Sequence, residues 1–184
     1  MRKSLITTPL MIALFSSAAV AMDDHQAPQM SNFNYDYVDA RIGASPLTYG
    51  AEISKSIHPN AHVVARFDSK FDNDWDFAAG AGFHAPVTNW ADITGELLAR
   101  GLKTRMSDHD DAYGIEINLG YRQWLGAQIE VGGKIGHLSA DDVEETTGSI
   151  FGRFHTSELF SLGAEFRINE AYNEQLMFTA RFKI

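Results

Sequence analysis

The stretch that decides the fold covers residues 176–184 and reads Leu176-Met177-Phe178-Thr179-Ala180-Arg181-Phe182-Lys183-Ile184. Every second residue is apolar, and the residues between them include Arg181 and Lys183. A period of two residues is that of a β-strand with one apolar face and one polar face. The last residues of the chain are therefore predicted to form an amphipathic strand.

The same alternation recurs through most of the chain, in segments long enough to cross a bilayer at a tilt. The candidate strands are 37–44, 47–54, 61–68, 75–84, 91–100, 113–122, 127–136, 148–155, 161–168 and 176–184. A transmembrane β-barrel is built from such strands, with apolar residues toward lipid and polar residues toward the lumen. We predict an all-β fold, a single antiparallel barrel of about ten strands. Eight strands is the alternative count, and a soluble β-sandwich is the alternative architecture.

The first 21 residues have the features of a secretory signal peptide. Arg2 and Lys3 precede an apolar run from Leu5 to Phe15, and Ala19-Val20-Ala21 is a cleavage signal of the A-x-A type. We predict cleavage after Ala21, a disordered leader over residues 22–32 and the barrel over residues 33–184.

The composition excludes several classes of protein. Cleavage removes Arg2 and Lys3, so the net charge falls from −9 to −11, which argues against a nucleic-acid partner. The chain has 0 cysteines, so no disulfide stabilises the fold. No segment after the signal peptide has 18 consecutive apolar residues, as a transmembrane helix would need.

The connections between the candidate strands alternate in character. One set is short and carries little charge, at 58–60, 86–89, 123–126 and 155–158. The other set is mostly longer and acidic, at 69–74, 103–111, 139–146 and 169–175, with Ser45-Pro46 as a short exception. Short turns on one rim and longer loops on the other are typical of outer-membrane barrels. Aromatic residues near strand ends, among them Tyr35, Tyr37, Trp75 and Trp124, are interpreted as interfacial girdles.

Together, the Ala19-Val20-Ala21 signal, the amphipathic strands and the closing Phe182-Lys183-Ile184 resemble the small outer-membrane β-barrel proteins of Gram-negative bacteria. The resemblance covers nearly all of the mature chain and implies a porin-like barrel in the bacterial outer membrane. It also implies contact with outer-membrane lipid and lipopolysaccharide, and insertion by the barrel-assembly machinery. The insertion end would be Phe178, Phe182 and Ile184, although the family usually ends on an aromatic residue.

The polar faces of the strands carry charges of both signs. Because unpaired charges in a narrow lumen are costly, we expect them to pair across it. The predicted lumen charge network is Arg41, Glu52, Arg66, Glu96, Arg100, Glu116, Arg122, Glu130, Lys134, Glu165, Arg167 and Arg181. This favours a largely plugged, non-enzymatic barrel with a structural or surface-interaction role. Inward glycines leave open the alternative of a narrow porin-like channel for small solutes.

Acidic residues in the predicted loops form a charged outer rim, from Asp72 and Asp74 through Asp108-His109-Asp110-Asp111 to Asp141-Asp142 and Glu144-Glu145. The spacing is not that of a calcium loop, so no metal site and no cofactor is predicted. Sharing of divalent cations with lipopolysaccharide phosphates is a hypothesis for this rim.

Two enzyme alternatives exist. His137 and Ser139 lie two residues apart on one strand face, and the pair looks like the His-x-Ser of lipid A 3-O-deacylases, in which a histidine activates a serine nucleophile. The following Ala140-Asp141-Asp142 departs from that family's pattern. An omptin-like protease also has ten strands, but is larger than this chain. No GxSxG, HExxH, P-loop or GxGxxG motif is present. No catalytic residue is therefore predicted, and the lipid A-modifying hydrolase is a minor alternative.

Overall fold

A computed structural model describes residues 31–103, 111–141, 143–170 and 172–184, without the side chains of 143, 169, 170 and 173. Residues 1–21 of the predicted signal peptide and residues 22–30 of the predicted leader lie outside this description. The strands are β1 (Tyr37–Ala44), β2 (Leu47–His58), β3 (Ala61–Ser69), β4 (Trp75–Thr88), β5 (Ala91–Lys103), β6 (Ala112–Trp124), β7 (Ile129–Ala140), β8 (Val143–His155), β9 (Phe160–Glu170) and β10 (Asn173–Lys183).

The ten strands form one closed antiparallel barrel in the order β1-β10-β9-β8-β7-β6-β5-β4-β3-β2. The closing strand β10 pairs with β1, and Ala180 stands opposite Ala40 in this pairing. The prediction of a single ten-stranded barrel is confirmed, and the alternative of eight strands is wrong.

The barrel has its apolar residues outside and its charged residues inside. On β6, for example, Ile117 is 60% exposed whereas Glu116 is 0% exposed. The side-chain period of two sets this contrast, because neighbouring residues point to opposite faces of a strand. A soluble sandwich buries its apolar face, so that alternative is wrong. Among the described residues, no helix is long and apolar enough to span a membrane.

Two predicted acidic loops are instead tight connections. Strand β7 continues to Ala140 and β8 begins at Val143, so Glu144 and Glu145 lie in a strand. The ladder pairs Ser139 with Glu144 at this end. In the same way, β9 ends at Glu170 and β10 begins at Asn173. These strand ends lack alternating apolar residues on the outer face, which is why the sequence pattern stopped short of them.

The other connections are close to their predicted positions. The link between β3 and β4 covers residues 70–74, and most of the link between β5 and β6 lies outside the described residues. On the opposite rim the links are 59–60, 89–90, 125–128 and 156–159. We name this second rim the periplasmic rim, because β1 begins and β10 ends there, as in bacterial barrels with an even strand number.

Candidate functional site in the lumen

The candidate site is the charged interior of the barrel. Each predicted network residue sits in the inward phase of its strand, where it alternates with exposed apolar residues. The structure joins eleven of the twelve to another side chain by a hydrogen bond or ion pair, and Lys134 is the exception.

A fully buried cluster lies toward the rim opposite the periplasmic one. Arg100 donates to both carboxylate oxygens of Asp76 at 2.6 and 2.7 Å, and it also pairs with Glu116. Arg66 reaches the same Glu116 from β3 at 3.8 Å. Because β3 and β6 are three strands apart in the ring, the pair between Arg66 and Glu116 spans part of the lumen.

A second cluster surrounds Arg41 at mid-height. Its guanidinium lies 2.5 Å from Glu52, 3.3 Å from Asp68 and 3.5 Å from Glu165. Arg167 contacts Asp68 at 3.2 Å and Glu165 at 3.5 Å. Because Arg167 lies on β9 and Asp68 on β3, four strands apart in the ring, this pair crosses the lumen.

A third cluster lies nearer the periplasmic rim. Arg122 donates to Glu130 at 2.8 Å, and His155 Nε2 lies 3.0 Å from the same carboxylate. Arg153 lies 3.4 Å from Glu130 and 3.8 Å from Asp39, which also accepts two hydrogen bonds from Arg181.

Several members of these clusters were absent from the predicted network. They are Asp39, Asp68, Asp76, Arg153 and His155. Their signal in the sequence was the same inward strand phase that identified the twelve. Which inward charges meet depends on the register and on the closure of the ring, so the pairing itself could not be read from single strands.

A segment before β1 lies across the periplasmic mouth. We call residues 31–36 the strap. Phe33 is 7% exposed and stacks on Trp124 of β6, with ring centroids 5.4 Å apart. Strand β6 is five strands from β1 in either direction around the ring, so the strap crosses the full width of the barrel.

Polar and aromatic contacts hold the strap in place. Tyr35, 5% exposed, stacks on His84 with centroids 3.7 Å apart and donates to Asp92 at 2.9 Å. Ser31 donates to the same Asp92 carboxylate. Arg122 lies over the rings of both Phe33 and Tyr35, at 4.7 and 4.8 Å from their centroids. Burial raises the pKa of the Tyr35 hydroxyl, so Tyr35 is a neutral donor.

The prediction that Tyr35 and Tyr37 belong to an interfacial aromatic girdle is therefore wrong. Both rings are buried inside the barrel, and the Tyr37 hydroxyl donates to Glu52 at 2.8 Å. The signal was present in the sequence, because Phe33, Tyr35 and Tyr37 share the inward phase of Asp39 rather than the outward phase of β1.

One internal cavity of about 120 Å³ lies between the ion-pair clusters and the strap. Tyr35 and Tyr37 line it toward the periplasmic rim, and Arg41, Arg66, Lys134 and Arg153 are among its basic wall residues. The cavity has room for a few water molecules, and charged side chains form part of its wall.

The predicted enzyme pair lies elsewhere. His137 and Ser139 are both on the exposed outer face of β7, as the strand phase predicted. In the described part of the chain neither side chain makes a hydrogen bond. Glu144 stands opposite Ser139 in the ladder, in a strand rather than in the predicted loop.

The remaining predicted residues lie at the surface. Phe178, Phe182 and Ile184 face outward and are exposed at the lipid side of β10 and its end. Asp108 and Asp110 of the acidic rim, together with Asp142, lie outside the described residues. Among the residues that are described, no group of three potential ligands could hold a metal ion.

A closed barrel with an apolar exterior and a charged interior has the architecture of a transmembrane β-barrel. Solved structures share this fold. The chain is similar to the KdgM porin, with a TM-score of 0.51 and 8% identity over 80% of this chain and 99% of that chain.

Lower scores relate it to the NanC porin, with a TM-score of 0.47 and 7% identity over 80% of this chain and 99% of that one. The Acinetobacter baumannii outer membrane protein Omp33 gives a TM-score of 0.41 and 8% identity, over 82% and 98% of the two chains. No protein-family model matches the sequence. No curated protein matches it either. At these identities the likeness concerns the fold alone.

Proposed function

We propose that this protein is a non-enzymatic outer-membrane barrel whose lumen is closed by its own side chains, with a structural or surface-interaction role. The observation that carries the proposal is the set of ion pairs across the lumen. Arg167 pairs with Asp68, Arg66 with Glu116 and Arg153 with Asp39, and the members of each pair lie three or four strands apart in the ring.

The energetics favour a closed lumen. A solute could pass the middle of the barrel only if such pairs separated or moved aside. Removing one partner of a buried pair costs about 3–5 kcal/mol, because the other charge remains desolvated. The strap supports the same conclusion at the periplasmic rim, where Phe33 and Tyr35 fill the mouth.

A planar-bilayer recording of the purified, folded protein tests this proposal. We expect no reproducible unitary conductance beyond that of protein-free bilayers. A wide porin recorded in the same bilayers serves as the positive control. A reproducible unitary step with the parent protein would overturn the closed lumen.

A narrow channel for small solutes is the second candidate, and the internal cavity favours it. The cavity of about 120 Å³ shows that the charged side chains do not fill the whole interior. If the cavity is part of a continuous path through the lumen, the parent protein conducts ions across the bilayer. Loss of one wall charge, as in Lys134→Gln, then changes the ion selectivity of the current.

We also infer the route to the membrane from the sequence. The predicted signal peptide of residues 1–21 directs export, and the outward Phe178, Phe182 and Ile184 present the insertion end to the barrel-assembly machinery. The partners of the inserted barrel are outer-membrane lipid and lipopolysaccharide. Pulse-labelling of cells that express the parent protein or Phe182→Ser measures how fast the folded barrel appears. We expect the folded form to appear more slowly in Phe182→Ser.

A further inference from the structure

One wall of the internal cavity presents donors without acceptors. Lys134 on β7 and Ser149 on β8 stand directly opposite each other in the ladder, and both line the cavity. The Ser149 side chain is 4% exposed, and its Oγ has no hydrogen-bond partner. Among the described residues, no carboxylate lies within 4.0 Å of Lys134 Nζ, so this half-buried ammonium has no direct ion pair, although Glu52 attracts it over a longer distance.

Arg153, on the same strand as Ser149, adds a third donor. It is 8% exposed, it lines the cavity, and its Nε has no hydrogen-bond partner. Its other nitrogens lie 3.4 Å from Glu130 and 3.8 Å from Asp39. Both distances exceed the roughly 2.7–2.9 Å of a direct charged hydrogen bond, so Arg153 is only partly neutralised.

The carboxylates that line the cavity have closer partners than these donors. Asp39 accepts two hydrogen bonds from Arg181, and Glu52 pairs with Arg41 at 2.5 Å. Glu165 is shared between Arg41 and Arg167. The fourth carboxylate, Glu96, lies on β5, two strands from β7, and accepts from Asn118 at 3.2 Å.

A buried donor without an acceptor costs about 1–3 kcal/mol, and more when it is charged. Two such donors, Ser149 Oγ and Arg153 Nε, line the cavity together with the Lys134 ammonium, and a ligand with several acceptor oxygens and negative charge suits this wall. We propose that the cavity binds one small oxyanion, a carboxylate or phosphate group, at Lys134 Nζ and Ser149 Oγ, with Arg153 of the same wall adding positive charge. The site requires the barrel and its cavity, but not a closed lumen.

Heat-induced unfolding measures this binding, with inorganic phosphate as the ligand. The full chain is folded into detergent at a series of phosphate concentrations, so that the anion can enter during folding. Sodium chloride keeps the ionic strength constant, because chloride has no acceptor oxygens with which to bridge the donors. A ligand that binds only the folded state raises its stability by mass action, so we expect Tm to rise and saturate.

Two variants and one control locate the site. Lys134→Gln and Ser149→Ala should each raise the apparent Kd for phosphate, by about tenfold or more for the lysine, which corresponds to about 1.4 kcal/mol. Lys55→Gln removes an exposed, outward-facing lysine of β2 and should leave the titration unchanged.

Three outcomes would overturn the proposal. One is a parent Tm that does not respond to phosphate, in which case water satisfies the donors. Another is an equal response in Lys134→Gln and Lys55→Gln, which would place the binding elsewhere. If Lys134→Gln does not fold, an unchanged titration in Ser149→Ala decides against the site. None of these results bears on the bilayer recording, which tests the closed lumen separately.

Discussion

Arg181 of β10 and Asp39 of β1 stand opposite each other at the seam where the last strand closes on the first. The guanidinium donates from Nε and from a terminal nitrogen to the two carboxylate oxygens, at 2.8 and 2.6 Å. The same guanidinium lies 3.3 Å from the ring centroid of Tyr37. A bidentate ion pair on the inside of the barrel therefore stabilises the seam between β10 and β1, in addition to the backbone hydrogen bonds of the ladder.

Loss of this arginine should destabilise the barrel strongly. Among the described residues, Arg181→Ala leaves the buried Asp39 with the 3.8 Å contact to Arg153 as its remaining ion pair, and we expect a loss of about 3–5 kcal/mol in the free energy of unfolding. Urea unfolding in lipid vesicles measures the change.

A double variant separates the ion pair from the packing of the seam. Arg181→Gln with Asp39→Asn removes both charges and should recover at least half of the loss seen in Arg181→Gln alone, because no buried charge is then left unpaired. Lys55→Ala removes an exposed ion pair with Asp36 and should change stability by less than about 1 kcal/mol. Additive losses in the double variant would show that the pair itself is not what stabilises the seam.

A pH dependence follows from Asp36 in the strap. Its carboxylate accepts a hydrogen bond from the Ser56 N–H at 2.6 Å and lies 3.6 Å from Lys55. The hydrogen bond from Ser56 lowers the pKa of Asp36 below its ordinary value of 3.8. The carboxylate therefore stabilises the folded state above pH 3.8, and this contribution is lost as the pH falls through the lowered pKa.

The variant Asp36→Asn lacks this titration. We expect the parent to be the more stable protein near neutral pH, and the difference in unfolding free energy to shrink as the pH is lowered below 3.8. Unfolding curves at a series of pH values measure it. A stability difference that stays constant over the whole series would contradict the role of Asp36.

The pair His137 and Ser139 should be dispensable. Both side chains lie on the exposed outer face of β7 without a hydrogen bond in the described part of the chain, so we expect no activation of the serine. Mass spectrometry of lipid A should give the same profile for cells that express the parent, His137→Ala or Ser139→Ala. A deacylated species that appears with the parent alone would establish the hydrolase instead.

Much of the fold was predictable from the chain because the bilayer imposes a simple rule on every strand. Outward residues such as Phe178 must be apolar and inward residues such as Arg181 are polar, so the period of two reveals both the strands and their faces. The limits of β7 and β8 were missed because Glu144 and Glu145 continue the ladder without apolar neighbours to mark it.

The interior was less predictable, because its contacts depend on the closure of the ring. The pair between Arg167 and Asp68 joins residues 99 positions apart in the chain, and nothing local to β3 or β9 indicates it.

The strap was missed for another reason. Residues 31–36 precede the first strand, and the ring of Tyr35 was interpreted as an interfacial aromatic although it shares the inward phase.

The strap should control access to the cavity from the periplasmic rim. Because the chain has 0 cysteines, a single Thr94→Cys in the cavity wall gives a clean reporter for a small, charged thiol reagent. Phe33 stacks on Trp124 and Tyr35 on His84, so Phe33→Ala with Tyr35→Ala removes both rings that span the mouth. We expect labelling of Cys at position 94 to accelerate by about tenfold or more, since about 1.4 kcal/mol of stacking is lost. A matched variant, Phe71→Ala, removes an exposed ring near the opposite rim and should leave the labelling rate unchanged. Equal rates with and without Phe33 and Tyr35 would show that the strap does not close the cavity.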